Sequence, residues 1–247
     1  VNPSDVRPAL LAPHVVQVWV IFLPHVRASL ESLRGILSPE ESSRADRFAF
    51  ERDRNRFILA RGTLRVLLAA YLNQDPTRIS FRYGAHGKPG LVAEENRFAD
   101  LRFNLSHSGD YCLCAVALGR EVGIDVEVVR SDIACLDLAE RFFTRREYDD
   151  VRQAPEENRH ARFFGYWTCK EAYLKARGIG IASGLARLDV IFHADGSVSC
   201  GAVDDGTVPG ARWIVRPVPM AGNVAAAVAA EGDDWEVAVS AYPASAG

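Results

Sequence analysis

Acidic residues occupy two places in this 247-residue chain where apolar neighbours would bury them. The segment VGIDVE, Val122 to Glu127, alternates: on a strand Val122, Ile124 and Val126 share one face, and Gly123, Asp125 and Glu127 the other. Two carboxylates on one face repel each other, and a divalent cation relieves the repulsion. Downstream, FFGYWTCKEAYLK, Phe163 to Lys175, sets Phe164, Trp167, Glu171 and Leu174 on one helical face, so a carboxylate interrupts an apolar stripe. Such a carboxylate is costly unless it is paired, hydrogen-bonded or holding a metal. Asp125, Glu127 and Glu171 on two rigid elements suit an oxygen-rich Mg²⁺ site completed by water and substrate phosphate. Lys175, one turn after Glu171, is either a phosphate partner or an ion pair for Glu171. The plainer alternatives are a half-exposed strand with an acidic outer face and a surface Glu/Lys pair on a core helix.

The elements that must position these groups read as follows. Val16 to Leu23 is a buried strand. Ser38, Pro39 and Glu41 form an N-cap, a first-turn proline and a capping-box acid, so a helix starts there and runs toward Phe50. Arg54 to Tyr71 is a longer helix, ended by Asn73 to Pro76. Strands follow at Ile79 to Tyr83, Leu101 to Leu105 and Tyr111 to Leu118, with loops at Gly84 to Gly90 and Ser106 to Asp110. The second half echoes this order: a strand at Val122 to Val128, helices near Ala134 to Phe143, Arg145 to Arg152 and Glu157 to Ala176, and strands at Leu185 to Phe192 and Trp213 to Val218. A hairpin of Val224 to Ala230 with Trp235 to Ala241, turning around Gly232 to Asp234, closes it. His193 to Arg212 reads as an edge hairpin or loose insertion, and Ala244 to Gly247 as a frayed tail. The pattern predicts an α+β protein whose residues 121–247 repeat the element order of 1–120 without a close sequence repeat, with the Ser-His segment in one part and all three carboxylates in the other. Pockets favour such an interface.

A net charge of −3 gives no global attraction to nucleic acid or anionic lipid, although Arg44, Arg47, Arg52, Arg54, Arg56, Arg61 and Arg65 concentrate positive charge locally. The five cysteines form no CxxC pair or zinc spacing, which points to a reducing, cytoplasmic setting. Val15 to Leu23 is too short to span a membrane. No P-loop or kinase signature supports a nucleotide phosphotransferase, and Ser106 lacks the G-x-S-x-G elbow of a nucleophile.

Four motifs in order, FNLSHS at Phe103 to Ser108, VGIDVE, RFFTRREY at Arg141 to Tyr148 and WTCKEAYLK at Trp167 to Lys175, resemble those of the 4′-phosphopantetheinyl transferases of the long, Sfp-type class. The resemblance spans roughly Leu37 to Leu188. It implies two α+β halves related by pseudo-two-fold symmetry, acting as a monomer, with coenzyme A in the cleft between them. It implies transfer of the phosphopantetheine arm to a serine of an acyl or peptidyl carrier protein, with release of adenosine 3′,5′-bisphosphate. By resemblance Asp125, Glu127 and Glu171 hold Mg²⁺, Glu171 is also the candidate base, and Lys175 pairs with phosphate. Ser106 and His107 contact the coenzyme phosphates, Arg44 its 3′-phosphate with Arg47 close by, and Arg56 follows. Lys88 and Pro89 of GKPG line the adenine side. Glu41 stands where many relatives have lysine. Tyr148, Phe163 and Tyr166 either receive a carrier-protein helix or belong to the core. The alternative is a non-catalytic coenzyme- or carrier-binding scaffold, against which the intact acidic positions argue.

Overall fold

Two sheets of one plan carry these residues. The computed structural model describes residues 6, 11–92, 100–180, 184–193, 198–202 and 213–244. In the first half β1 (Val15–Phe22) is followed by α1 (Leu30–Gly35), α2 (Pro39–Asp46), α3 (Glu51–Leu72), the ribbon β2 (Phe81–Tyr83) with β3 (Pro89–Leu91), and then β4 (Leu101–Ser108) and β5 (Tyr111–Leu118). The second half runs β6 (Val122–Val128), α4 (Cys135–Phe142), α5 (Arg145–Gln153), α6 (Glu156–Arg177), the ribbon β7 (Leu188–Phe192) with β8 (Val198–Ala202), β9 (Trp213–Pro217) and β10 (Val224–Glu231). The strand orders match: β1-β5-β4 in one sheet and β6-β10-β9 in the other, each with the last strand central and all these pairs antiparallel. The chain is thus the expected α+β duplication.

Strand alternation decides what each face meets. Val16, Val18, Leu113, Ala115 and Ala117 of the first sheet pack on Val122, Ile124, Val126, Ala226, Val228 and Ala230 of the second. The outer face of the first sheet, with Trp19, Ile21, Cys112 and Cys114, meets α3 through Leu64, Leu67 and Leu68. The outer face of the second, with Val215, Ala227 and Ala229, meets α6 through Phe164, Cys169 and Ala172. Both faces of β6 are therefore covered, and the half-exposed acidic strand is excluded. Gly123 lets α6 lie directly on β6: a Cβ there would stand 2.2 Å from both the Ala172 carbonyl oxygen and the Ala176 nitrogen.

Each half also fixes its long helix by the same device. Ser38 caps α2 in a capping box, and the buried Glu41 carboxylate accepts from Arg61 Nε (2.5 Å), Arg65 Nε (2.6 Å) and Ser38 N (2.9 Å). Arg65 then donates to the carbonyls of Pro76 and Ile79, both at 2.9 Å. Thr144 caps α5 in the same way, and Glu147 accepts from Lys170 Nζ (2.6 Å), Thr144 N (2.8 Å) and Val190 N (2.7 Å). Lys170 donates onward to Leu185 O and Leu188 O, both at 2.7 Å. A capping-box acid, a cation on the long helix and two carbonyls beyond that helix recur in both halves.

Four sequence expectations need correction. The helix from Ser38 stops at Asp46, and α3 begins at Glu51 with Phe50 as its N-cap, so residues 47–50 form a corner. Ser106 to Ser108 belong to β4 and not to a loop, and only Gly109 and Asp110 turn the chain, Gly109 with φ 57°. The predicted C-terminal hairpin does not form: β10 pairs with β9 and β6, while β11 (Glu236–Ala241) crosses to the first sheet and lies parallel to β1. Within His193 to Arg212, residues 198–202 form β8 beside β7, and the rest of that stretch after His193 lies outside the described residues, as do 245–247 of the tail. No helix of the described residues is long and apolar enough to cross a membrane.

Candidate active site

β4 and β6 are edge strands of different sheets, and polar side chains take the place of a backbone ladder between them. Asn104, Ser106 and Ser108 recur at period two on β4 and so share a face. Asn104 Oδ1 accepts from Ile124 N at 2.9 Å, Ser106 Oγ donates to Asp125 Oδ1 at 2.8 Å, and Ser108 Oγ donates to Glu127 Oε2 at 2.6 Å while accepting from Val128 N at 3.1 Å. The two halves are thereby tied at the acidic motif itself. Sequence reasoning missed Asn104 and Ser108, although the alternation N-x-S-x-S was the available signal.

Lys175 projects from α6 into this seam. Its Nζ donates to Asp125 Oδ1 at 2.6 Å and to Ser106 Oγ at 3.0 Å, so the ion pair it makes within the protein is with Asp125, and the alternative pair with Glu171 does not form. Two of its three donors are committed, which leaves one for a ligand. Asp125 and Glu171 are each 4% exposed, and among the described residues Asp125 Oδ2 and Glu171 Oε1 are buried without a hydrogen-bond partner. Burial, then the charge of Asp125, and more weakly that of Glu127, push the Glu171 carboxyl up to about 7, against the opposing pull of Lys175. Asp125 and Glu127 are also raised, first by burial, with Lys175 and Ser106 opposing at Asp125 and Ser108 at Glu127. Unsatisfied anionic oxygens in a low-dielectric seam fit a divalent cation. Among the described residues no three His, Cys, Asp or Glu side chains are preassembled as a metal site. Lys175 supplies the countercharge at Asp125.

His107 occupies β4 opposite Cys112 at an exposed position, its ring enclosed on one side by its neighbours. Packing around the imidazole, followed by the Lys175 and Arg56 cations, holds it below the usual histidine range. Arg56 lies on this side, paired with Asp110 at 2.8 Å. Lys88 and Pro89 line a cleft of about 320 Å³ together with His86, Asn104, Glu171, Lys175 and Gly180. Lys88 Nζ is tied to Glu121 (2.9 Å) and to Ala176 O at the end of α6 (3.0 Å). Arg44 and Arg47 do not reach this seam: both are exposed at the α2–α3 corner, with the Arg44 guanidinium 5.2 Å from the Phe57 ring centre. Glu41 does not reach it either, being a buried structural carboxylate. Phe163 and Tyr166, each 1% exposed, are core, while Tyr148 is half-buried.

Fold and site together define a duplicated α+β protein with an acidic, lysine-bearing seam between its sheets, suited to phosphate chemistry. A family model described as the 4′-phosphopantetheinyl transferase superfamily matches residues 121–229, and one described as 4′-phosphopantetheinyl transferase, N-terminal, matches residues 24–118. The chain is 41% identical over 223 residues, 90% of each protein, to the 4′-phosphopantetheinyl transferase HetI of Nostoc sp.. It is 30% identical over 169 residues to the 4′-phosphopantetheinyl transferase Sfp of Bacillus subtilis, covering 68% of this chain and 72% of that one. To the human L-aminoadipate-semialdehyde dehydrogenase-phosphopantetheinyl transferase it is 33% identical over 175 residues, covering 68% and 56%. This chain belongs to the 4′-phosphopantetheinyl transferase superfamily.

Proposed function

We infer that the chain transfers the 4′-phosphopantetheine arm of coenzyme A to a serine of a carrier protein, releasing adenosine 3′,5′-bisphosphate. The observation that carries the reading is Glu171: a buried carboxylate with one oxygen unpartnered and a pKa near 7, beside Asp125 and Lys175. In the reaction the serine oxygen bonds to the β-phosphorus, the bond from that phosphorus to the bisphosphate oxygen breaks, and the serine proton passes to Glu171. A carboxylate titrating near neutrality suits that transfer. Lys175 gives its remaining donor to a phosphate oxygen. His107 and Arg56 meet the phosphates on the first-half side, Ser106 orients Lys175 and Asp125, and Lys88 and Pro89 border the adenine. Arg44 and Arg47 meet the 3′-phosphate from the corner of α2 and α3. Asp125, Glu127 and Glu171 would hold Mg²⁺, which supplies positive charge for the pyrophosphate when bound.

In this reading residues 1–120 supply most coenzyme contacts and 121–247 the carboxylates. The protein works as a cytoplasmic monomer, and its acceptors are acyl or peptidyl carrier proteins of fatty-acid, polyketide or peptide assembly. The test is intact-mass measurement of a panel of apo carrier proteins incubated with the chain, coenzyme A and Mg²⁺. A gain of one phosphopantetheine per carrier is expected. Coenzyme binding without any mass gain would replace the transferase with a scaffold.

A further inference from the structure

α6 is loaded asymmetrically. On its cleft side Lys175 ties α6 to Asp125 at 2.6 Å and to Ser106 at 3.0 Å, and one turn earlier Glu171 carries a buried Oε1 with no hydrogen-bond partner. On its far side Phe163, Phe164 and Cys169 make apolar contacts, which by themselves leave the rotation of a helix loosely specified, and Tyr166 donates to Asp150 at 2.7 Å more than a turn before Glu171. Lys170, one residue before Glu171 and so about 100° around the helix, adds a directional polar anchor immediately beside that carboxylate. Its ammonium has no exposure and spends three donors on Glu147, Leu185 O and Leu188 O, while Glu147 is held in turn by Thr144 N and Val190 N. Every bond runs to a different element: the start of α5, the turn leading into β7, and β7 itself.

We propose that Lys170, acting through its buried pair with Glu147, is a positioning residue that sets the azimuth of α6 and so aims the Glu171 carboxylate at the acceptor serine. A buried ion pair contributes little net stability compared with an apolar pair of the same volume, so its value here is a single geometry. The first half supports this division: Arg65 makes the same bonds from α3 to Glu41, Pro76 and Ile79, yet the next residue is Val66, which bears no chemistry. The clamp is common to both halves, and in the second it aims a carboxylate.

The proposal rests on the transferase reading, and its test separates the two. Single-turnover transfer at saturating coenzyme A, carrier protein and Mg²⁺ is measured for wild type, Glu147→Gln, Lys170→Met, Lys170→Arg and the double variant Glu147→Gln/Lys170→Met. Each is assayed at a temperature where circular dichroism shows it fully folded, and coenzyme A binding is measured alongside. The expected result is a fall of about 10- to 100-fold in rate for Lys170→Met and the double variant, with Kd for coenzyme A within about twofold of wild type and partial recovery in Lys170→Arg. The double variant leaves no unpaired buried charge and stands in where a single variant does not fold. Folded variants with wild-type rates, or a double variant that never folds, would assign the pair to stability alone and overturn the proposal. A wild type that transfers nothing in the same assay overturns the transferase reading as well.

Discussion

Gly123 on β6 and Ala172 on α6 are in direct backbone contact, so that a methyl group on Gly123 would stand 2.2 Å from the Ala172 carbonyl oxygen. The obstacle is helix backbone and cannot rotate away. Gly123→Ala is expected to cost about 1 to 3 kcal/mol of stability by overpacking, and to slow transfer because α6 is displaced next to Glu171. Urea unfolding read by tryptophan fluorescence checks the first part. An unchanged midpoint would mean that α6 already has slack at this contact.

Glu171→Gln is expected to keep coenzyme A binding and lose at least ~100-fold in transfer, the usual scale for a general base. The same substitution carries a stability signature. The folded-state pKa is raised from 4.5 to about 7, so between those values the folded chain holds a proton that the unfolded chain has lost. Stability therefore drains as pH rises through this window, and the cost is complete above about 7. In metal-free buffer Glu171→Gln should melt higher than wild type at pH 8, and the difference should close at pH 4. Equal melting temperatures at pH 8 would show that the carboxylate is relieved by contacts other than those described.

Glu41 has the opposite sign. Burial alone would raise its carboxyl, but Arg65, the Ser38 N–H and Arg61 outweigh burial and hold it below the ordinary value of 4.5. A depressed carboxylate contributes stability that is complete above 4.5 and is lost as pH falls through the folded value. Glu41→Gln should cost about 3 to 5 kcal/mol at pH 7, because Arg61 and Arg65 are left buried without their counterion. That difference should shrink in acid, as followed by denaturant titrations at pH 7 and pH 3.5. A gap that persists undiminished in acid would locate the effect in packing.

Arg44→Ala tests the 3′-phosphate assignment. Arg44 is exposed, so a contact made only on coenzyme binding should be worth about 1 kcal/mol or less. Calorimetry should show that loss for coenzyme A and none for 3′-dephospho-coenzyme A. Equal losses for both ligands would place the contact elsewhere on the coenzyme.

Much of the site was legible because its elements are locally encoded. Alternation in VGIDVE set Asp125 and Glu127 on one face, and helical spacing put Glu171 among apolar neighbours. What local pattern does not contain is which strand lies beside which. The turn signal at Gly232 to Asp234 sits between two good strands, yet those strands join different sheets, since pairing is settled by distant partners. Ser106 to Ser108 read as a loop because polar residues normally face water, whereas here Ser106 and Ser108 face the carboxylates of another edge strand. Arg65 and Lys170 were passed over for a related reason: a mid-helix cation reads as solvated until its capping-box acid is brought to it from more than twenty residues away.

The parallel pairing of β11 with β1 also bears on how the chain is born. Gln17 Nε2 reaches Ala238 O at 3.0 Å across 221 residues of sequence. As synthesis proceeds from the N-terminus, β1 leaves the ribosome 221 residues ahead of its β11 partner and must wait for it before that flank is covered. Until then it presents the unsatisfied backbone edge of VVQVWVIF, the kind of edge that recruits other chains. The vulnerable interval in the life of this protein is thus the time needed to translate residues 23 to 241, and a stall or truncation anywhere in that span leaves the same strand open.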